Sequence, residues 1–253
     1  MAPIGYRGLQ KPQGEARDKS MRLAIHQPNY APWCGYFAKM KQSDILVFLD
    51  DAQMPGKQSY VYRTRIRKDR DNPQWLSVPT RFSLGDPIKD VMFADPEWAL
   101  VHMRKLRAVY ARCPYFREVL ALLEPVYHDP GEYLSLFNQT MIREIADYLG
   151  LKCRFEISSQ LRPEGKSDDR LISLARILGA DTYVSGKGGQ SYQNPDKFRA
   201  AGIKLEIRCY VPIPYDQVQG EFLPGLSILD ALFHLGRRTI DLLDHRGEAR
   251  DNK

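Results

Sequence analysis

The chain has 253 residues, 43% of them hydrophobic, enough to bury one large core or two small ones. No apolar run approaches the ~18–20 residues that span a bilayer, and residues 1–20 lack the apolar stretch of a signal peptide or anchor. The formal charge of +6 is modest and concentrates between Lys57 and Arg70, which favours an anionic small molecule or acidic carrier protein over nucleic acid.

In chain order, residues 1–20 read as a loose extension, with the ordered fold starting near Met21. Leu23 to Ile25 is a short buried strand that stops at His26-Gln27-Pro28, since Pro28 has no N–H to give a ladder. Gly35 to Gln42 fits a short helix. Ile45 to Leu49 fits a second apolar strand, which runs into Asp50-Asp51. A strand–helix–strand unit of this length predicts a parallel crossover. Both strands then end on one edge, and His26, Gln27, Asp50 and Asp51 converge where open α/β sheets bind ligands.

Tyr60 to Arg67 alternates as a half-exposed strand, with Arg63, Arg65 and Arg67 on one face able to clamp an anion. Gln74 to Phe82 is a strand interrupted at Pro79. Three helices follow: Glu97 to Ala111, Tyr115 to Leu123 (ended by Pro125) and Glu132 to Leu149. They form a helical block over about 95–150 with no chemical motif. His102, on the apolar stripe of the first, reads as a hydrogen-bonded core histidine.

The α/β pattern then resumes with a strand at Leu151 to Ser158, a helix at Asp168 to Leu178 capped by Ser167, and a strand at Asp181 to Ser185. The turn Ser185-Gly186-Lys187-Gly188-Gly189 lacks P-loop spacing and reads first as a glycine turn, although its N–H groups could meet an anion. A short helix at Asn194-Pro195 and a strand at Ile203 to Val211 come next. Last is a helix from Ser227 to about Asp244, with Ser227 and Asp230 as a capping box. A polar tail begins at Arg246. The expected class is therefore α/β, a mostly parallel Rossmann-like sheet with a helical insertion, in one domain over residues 21–245. Cys34, Cys113, Cys153 and Cys209 are widely spaced, which argues against structural zinc or disulfides and suggests a reducing cytoplasm. No metal site and no cofactor are expected.

Five segments together resemble the WbqC-like protein family: AIHQPNYAPWCGYFAKM, DILVFLDDAQM, YVYRTRI, TYVSGKGGQSYQNPDKFRAAGI and FLPGLSILDALFHLG. The resemblance runs from about Met21 to Leu243. It implies a part in bacterial O-antigen or other specialised biosynthesis, with a glycyl or other aminoacyl group passed to an amino sugar. Cys34 departs from the family pattern, which usually has an apolar residue there.

The leading expectation is an acyl- or aminoacyl-transferase that joins a small-molecule or carrier-linked donor to an amine acceptor. His26 would be the general base, oriented by Asp50 or Asp51, and Cys34 would be the nucleophile of a covalent variant. Gln27, Tyr30, Trp33, Tyr36, Ser185 and Tyr192 would bind substrate, while Arg63 and Lys187 hold an anionic part of the donor. One alternative is nucleotidyl or adenylyl transfer, and another is a non-catalytic binding protein. Neither nucleic acid nor membrane is expected as a partner.

Overall fold

A computed structural model describes residues 20–56, 58–69, 72–218 and 220–244. The extension through residue 19 and the tail from Arg246 lie outside the described residues. The first unit forms as its pattern predicts: β1 (Arg22–His26), α1 (Cys34–Lys41) and β2 (Ile45–Phe48), with β1 and β2 parallel. Next come a hairpin of β3 (Arg63–Arg67) and β4 (Pro73–Ser77), and a small pair, β5 (Thr80–Arg81) with β6 (Met92–Phe93). Three helices follow, α2 (Trp98–Tyr110), α3 (Phe116–His128) and α4 (Leu134–Tyr148). The chain then returns through β7 (Arg154–Ile157), α5 (Ser158–Leu161), α6 (Ser167–Leu178), β8 (Thr182–Gly186), α7 (Pro195–Ala200), β9 (Lys204–Arg208) and α8 (Ile228–Leu235).

The protein is α/β, built on a five-stranded parallel sheet in the order β7-β2-β1-β8-β9. Strand alternation divides its core. Ala24, Leu46 and Phe48 face one side, against α1, the three-helix block and α8. Leu23, Ile25, Ile45 and Val47 face the other, against Ile172, Leu174 and Ala175 of α6 and Phe198 of α7. The order runs outward from β1 through β2 to β7, then resumes on the other side of β1 with β8 and β9. The sheet therefore changes direction between β1 and β8, the position at which doubly wound sheets open a ligand crevice.

Several local expectations are corrected. Pro125 does not end α3, which continues to His128, because Val126 and Tyr127 bury the last turn while Pro125 and Ala121 lie on its exposed side. The final helix does not run straight to Asp244. It breaks at Gly236 (φ +55°), where any Cβ would overlap the Tyr115 ring, and resumes as a 3-10 helix over Gly236–Leu243. Ser167 does not cap α6, since Lys166 holds the cap position and Ser167 itself has φ +50°. Ser227 does cap α8 by accepting from the Leu229 N–H, but the Asp230 carboxylate is turned into the core.

Candidate functional site

The pairing of β1 with β8 ends at Ala24 and Val184, and beyond it the two strands part. At that opening lies a crevice of about 810 Å³. Its floor comes from the end of β1 (Ile25, His26, Gln27) and of β8 (Tyr183, Ser185, Gly186). Its walls come from Asp51 after β2, Lys39 of α1, the start of α6 (Lys166, Ser167, Arg170) and Tyr192 after β8. Of the residues expected at the site, His26, Gln27, Asp51, Ser185 and Tyr192 thus meet around one cavity.

His26 is half-buried, with its ring 4.6 Å from that of Tyr36 and Nδ1 3.0 Å from the Gln27 carbonyl oxygen. That contact suits a neutral imidazole with the proton on Nδ1, leaving Nε2 as an acceptor. Burial and the nearby Lys39 charge push its pKa down to about 3, so the ring stays neutral through the physiological range. Tyr36 contributes from behind, its hydroxyl donating to the Gln27 carbonyl at 3.3 Å.

Neither carboxylate orients His26. Asp50 is buried and accepts from the Ser159 N–H (2.9 Å) and hydroxyl (2.7 Å), fastening α5 to the end of β2. Asp51 accepts from Arg170 in an ion pair on the crevice wall. Asp51 Oδ1 and Arg170 Nε are buried without a hydrogen-bond partner among the described residues. Polar atoms in that condition invite a ligand or water.

Five expected residues lie elsewhere. Cys34 faces the core beside Trp33 and Tyr210, and burial, followed by the charge of Asp230, pushes its thiol up to about 12. A buried thiol held protonated away from the crevice does not suit the covalent variant. Tyr30 is fully buried, bonded to His102 Nδ1 (2.8 Å) and the Tyr127 hydroxyl (2.6 Å), and so ties the His-Gln-Pro segment to the helical block. His102 Nε2 lies 3.1 Å from the Ser77 carbonyl, consistent with a core histidine. Trp33 stands edge-on to Tyr210 at 5.3 Å, away from His26. Arg63 stacks over Trp75 at 3.9 Å and donates to the Gln58 carbonyl, while Arg67 is buried against Gln217 and Glu221. Arg63 and Arg67 are therefore engaged within the hairpin and by its neighbours. Lys187 is exposed at the start of a 3-10 turn outside the crevice lining. Gly189 in that turn packs on Ser185 and Gln193, where a side chain would collide with both.

Pattern reading overlooked Lys39 and Arg170. Lys39 lies three residues after Tyr36 and is flanked by Ala38 and Met40, all buried on α1. A lysine at that spacing, on a helix this apolar, was the available signal. Its Nζ is buried and donates to the Ile25 carbonyl at 3.1 Å. Among the described residues no group of three His, Cys, Asp or Glu could hold a metal, and no helix is long and apolar enough to cross a membrane.

Fold and crevice together define a parallel α/β protein with a small-molecule-sized site at its switch point. The chain belongs to the WbqC-like protein family, whose model matches residues 27–242. It is similar to the uncharacterized protein Rv1507c of Mycobacterium tuberculosis, 32% identical over 226 residues, which cover 88% of this chain and 97% of that protein. No solved structure matches.

Proposed function

We propose that the switch-point crevice carries acyl or aminoacyl transfer, with glycyl transfer to an amino sugar or other amine as the specific form. The observation behind this reading is the meeting of a neutral imidazole (His26), a serine (Ser185) and a half-satisfied ion pair (Asp51–Arg170) around one cavity. The reaction asks for a proton acceptor, for donors aimed at a developing oxyanion, and for a wall that grips the donor's charge. His26 Nε2 supplies a neutral hydrogen-bond acceptor that can orient the attacking amine. Arg170 and Lys166 supply positive charge toward an anionic donor group. Asp51, through its unpartnered Oδ1, offers a contact to an acceptor ammonium.

The test is to incubate the full chain with glycyl adenylate or a glycyl thioester and a panel of amino sugars, scoring amide product by mass spectrometry. His26→Ala is expected to lower kcat/KM by roughly 10²-fold, the cost of misplacing the attacking atom when a group that orients it is lost. Unchanged transfer in that variant removes His26 from the mechanism. If neither donor is consumed with any acceptor, the transfer reading fails for those classes.

A second reading, nucleotidyl or adenylyl transfer, is favoured by the crevice lying at the carboxyl ends of β1 and β8, where such sheets take nucleotides. ATP or CTP raising the melting temperature, with pyrophosphate released on turnover, would support it. No shift with either nucleotide would count against it.

A further inference from the structure

The backbone at the opening leaves one carbonyl in need of a partner. The carbonyls of Arg22 and His26 point toward β2, accepting from Asp44 and Leu49. Alternation along the strand then points the Ile25 carbonyl toward β8. There β8 has already diverged, since pairing ends at Ala24 and Val184. Lys39 fills the gap. Its side chain reaches from α1 to donate to the Ile25 carbonyl at 3.1 Å, with the residue 8% exposed. No ion pair links Lys39 to a carboxylate among the described residues. The crevice's one carboxylate, Asp51, is engaged by Arg170. A lysine amine so buried, with one neutral acceptor and no counter-ion, is an unusual element for a wall that also presents Arg170 and Lys166.

We propose that Lys39, rather than His26, takes the proton released when an amine or hydroxyl acceptor attacks the acyl carbon in this crevice. This rests on the transfer reading and names the base within it. In the step, the acceptor nitrogen or oxygen bonds to the acyl carbon, and the bond from that carbon to the donor's leaving group breaks. The leaving group departs with the electron pair. The proton of the attacking atom passes to Lys39 Nζ, which must be neutral when the acceptor arrives. The surroundings meet that requirement. The ionisable groups sharing the crevice are His26 from β1, Asp51 from the loop after β2, Lys166 and Arg170 from α6, and Tyr183 and Tyr192 from β8 and its following turn. Burial pushes the Lys39 amine down to about 7, whereas His26 at about 3 is too weak a base to hold a proton at neutral pH. The Ile25 carbonyl holds the amine through one N–H at 3.1 Å, and Lys39 lines the crevice wall.

Competitive labelling tests this without any substrate. The full chain is treated with trace deuterated acetic anhydride at pH values from 5 to 10, and each lysine is followed by peptide mass spectrometry. Exposed Lys105 and Lys152 serve as internal standards. Lys39 is expected to reach half-maximal labelling near pH 7, well below the ordinary lysine value of 10.5. Labelling that follows Lys105, or its absence at every pH, overturns the proposal whatever the donor proves to be. In the transfer assay, Lys39→Arg keeps a donor for the Ile25 carbonyl but cannot accept a proton at neutral pH. It is expected to lose kcat by roughly 10²–10⁴-fold with KM little changed, and to lose the limb of the pH–rate profile centred near 7. Full activity in Lys39→Arg would reduce Lys39 to a structural plug. The transfer reading itself stands or falls separately, on whether a donor is consumed.

Discussion

Two places in this protein bring an acid and a histidine together, and they differ in what is left over. At the first turn of α8, Asp230 is fully buried and accepts from the Tyr110 hydroxyl (3.0 Å), the Tyr215 hydroxyl (2.6 Å) and the Gln217 amide (2.8 Å). His234, one turn on, has Nδ1 2.7 Å from the Asp230 carbonyl oxygen and 3.5 Å from a carboxylate oxygen. The other ring nitrogen lies 3.5 Å from the Cys113 sulfur. These side chains bind the helical block, α8 and the 210–217 segment together, with their polar atoms mutually engaged. At the switch point, by contrast, Asp51 Oδ1 and Arg170 Nε have no partner among the described residues, and the cavity beside them and His26 has room for a small molecule. Acid and imidazole occur in both. Saturation marks a tie between elements, and incompleteness beside a cavity marks a site.

Substitutions can break this contrast, and the largest effect belongs at the saturated cluster. Asp230→Ala removes the acceptor of three buried donors and should cost roughly 3–5 kcal/mol, each stranded donor being worth ~1–3. Urea unfolding followed by circular dichroism reads it, and a loss under 1 kcal/mol would mean the cluster is not a structural tie. Tyr30→Phe strands His102 and Tyr127 and should cost ~1–3 kcal/mol, with little effect on ligand binding at the crevice. Asp50→Ala frees α5 and should cost ~0.5–2 kcal/mol, the range of a lost cap.

The remaining effect is a pH dependence. His26 has a folded pKa of about 3 against 6.5 when unfolded, so between those values the unfolded chain binds more protons. Stability from this group is therefore full above pH 6.5 and is lost as the pH falls toward 3. His102, lowered to about 4 by burial, acts in the same direction from the core. His26→Gln should flatten the urea midpoint between pH 6.5 and 3 relative to wild type. An unchanged slope would place the imidazole in a more solvated setting than the crevice floor.

The sequence by itself determined the parallel β1–β2 unit and the edge at which it ends. The apolar runs at 23–25 and 45–49 and the breaks at Pro28 and Asp50 are local features, and a connection of that length admits essentially one parallel arrangement. That sufficed to bring His26, Gln27 and Asp51 to one end. What only the tertiary structure decided is which polar groups are already engaged. Asp50 and Asp51 are adjacent in the chain, yet one bonds Ser159, more than a hundred residues away, and the other Arg170. Arg63, Arg65 and Arg67 alternate as an open binding face would, yet Arg67 is buried against Gln217. Lys39, which periodicity does not single out, reaches the crevice because β8 diverges from β1 and leaves a carbonyl to be bonded. Periodicity reports the direction in which a side chain leaves its own strand or helix. Whether its charge meets a partner or a cavity depends on segments distant in sequence, and only packing brings those together.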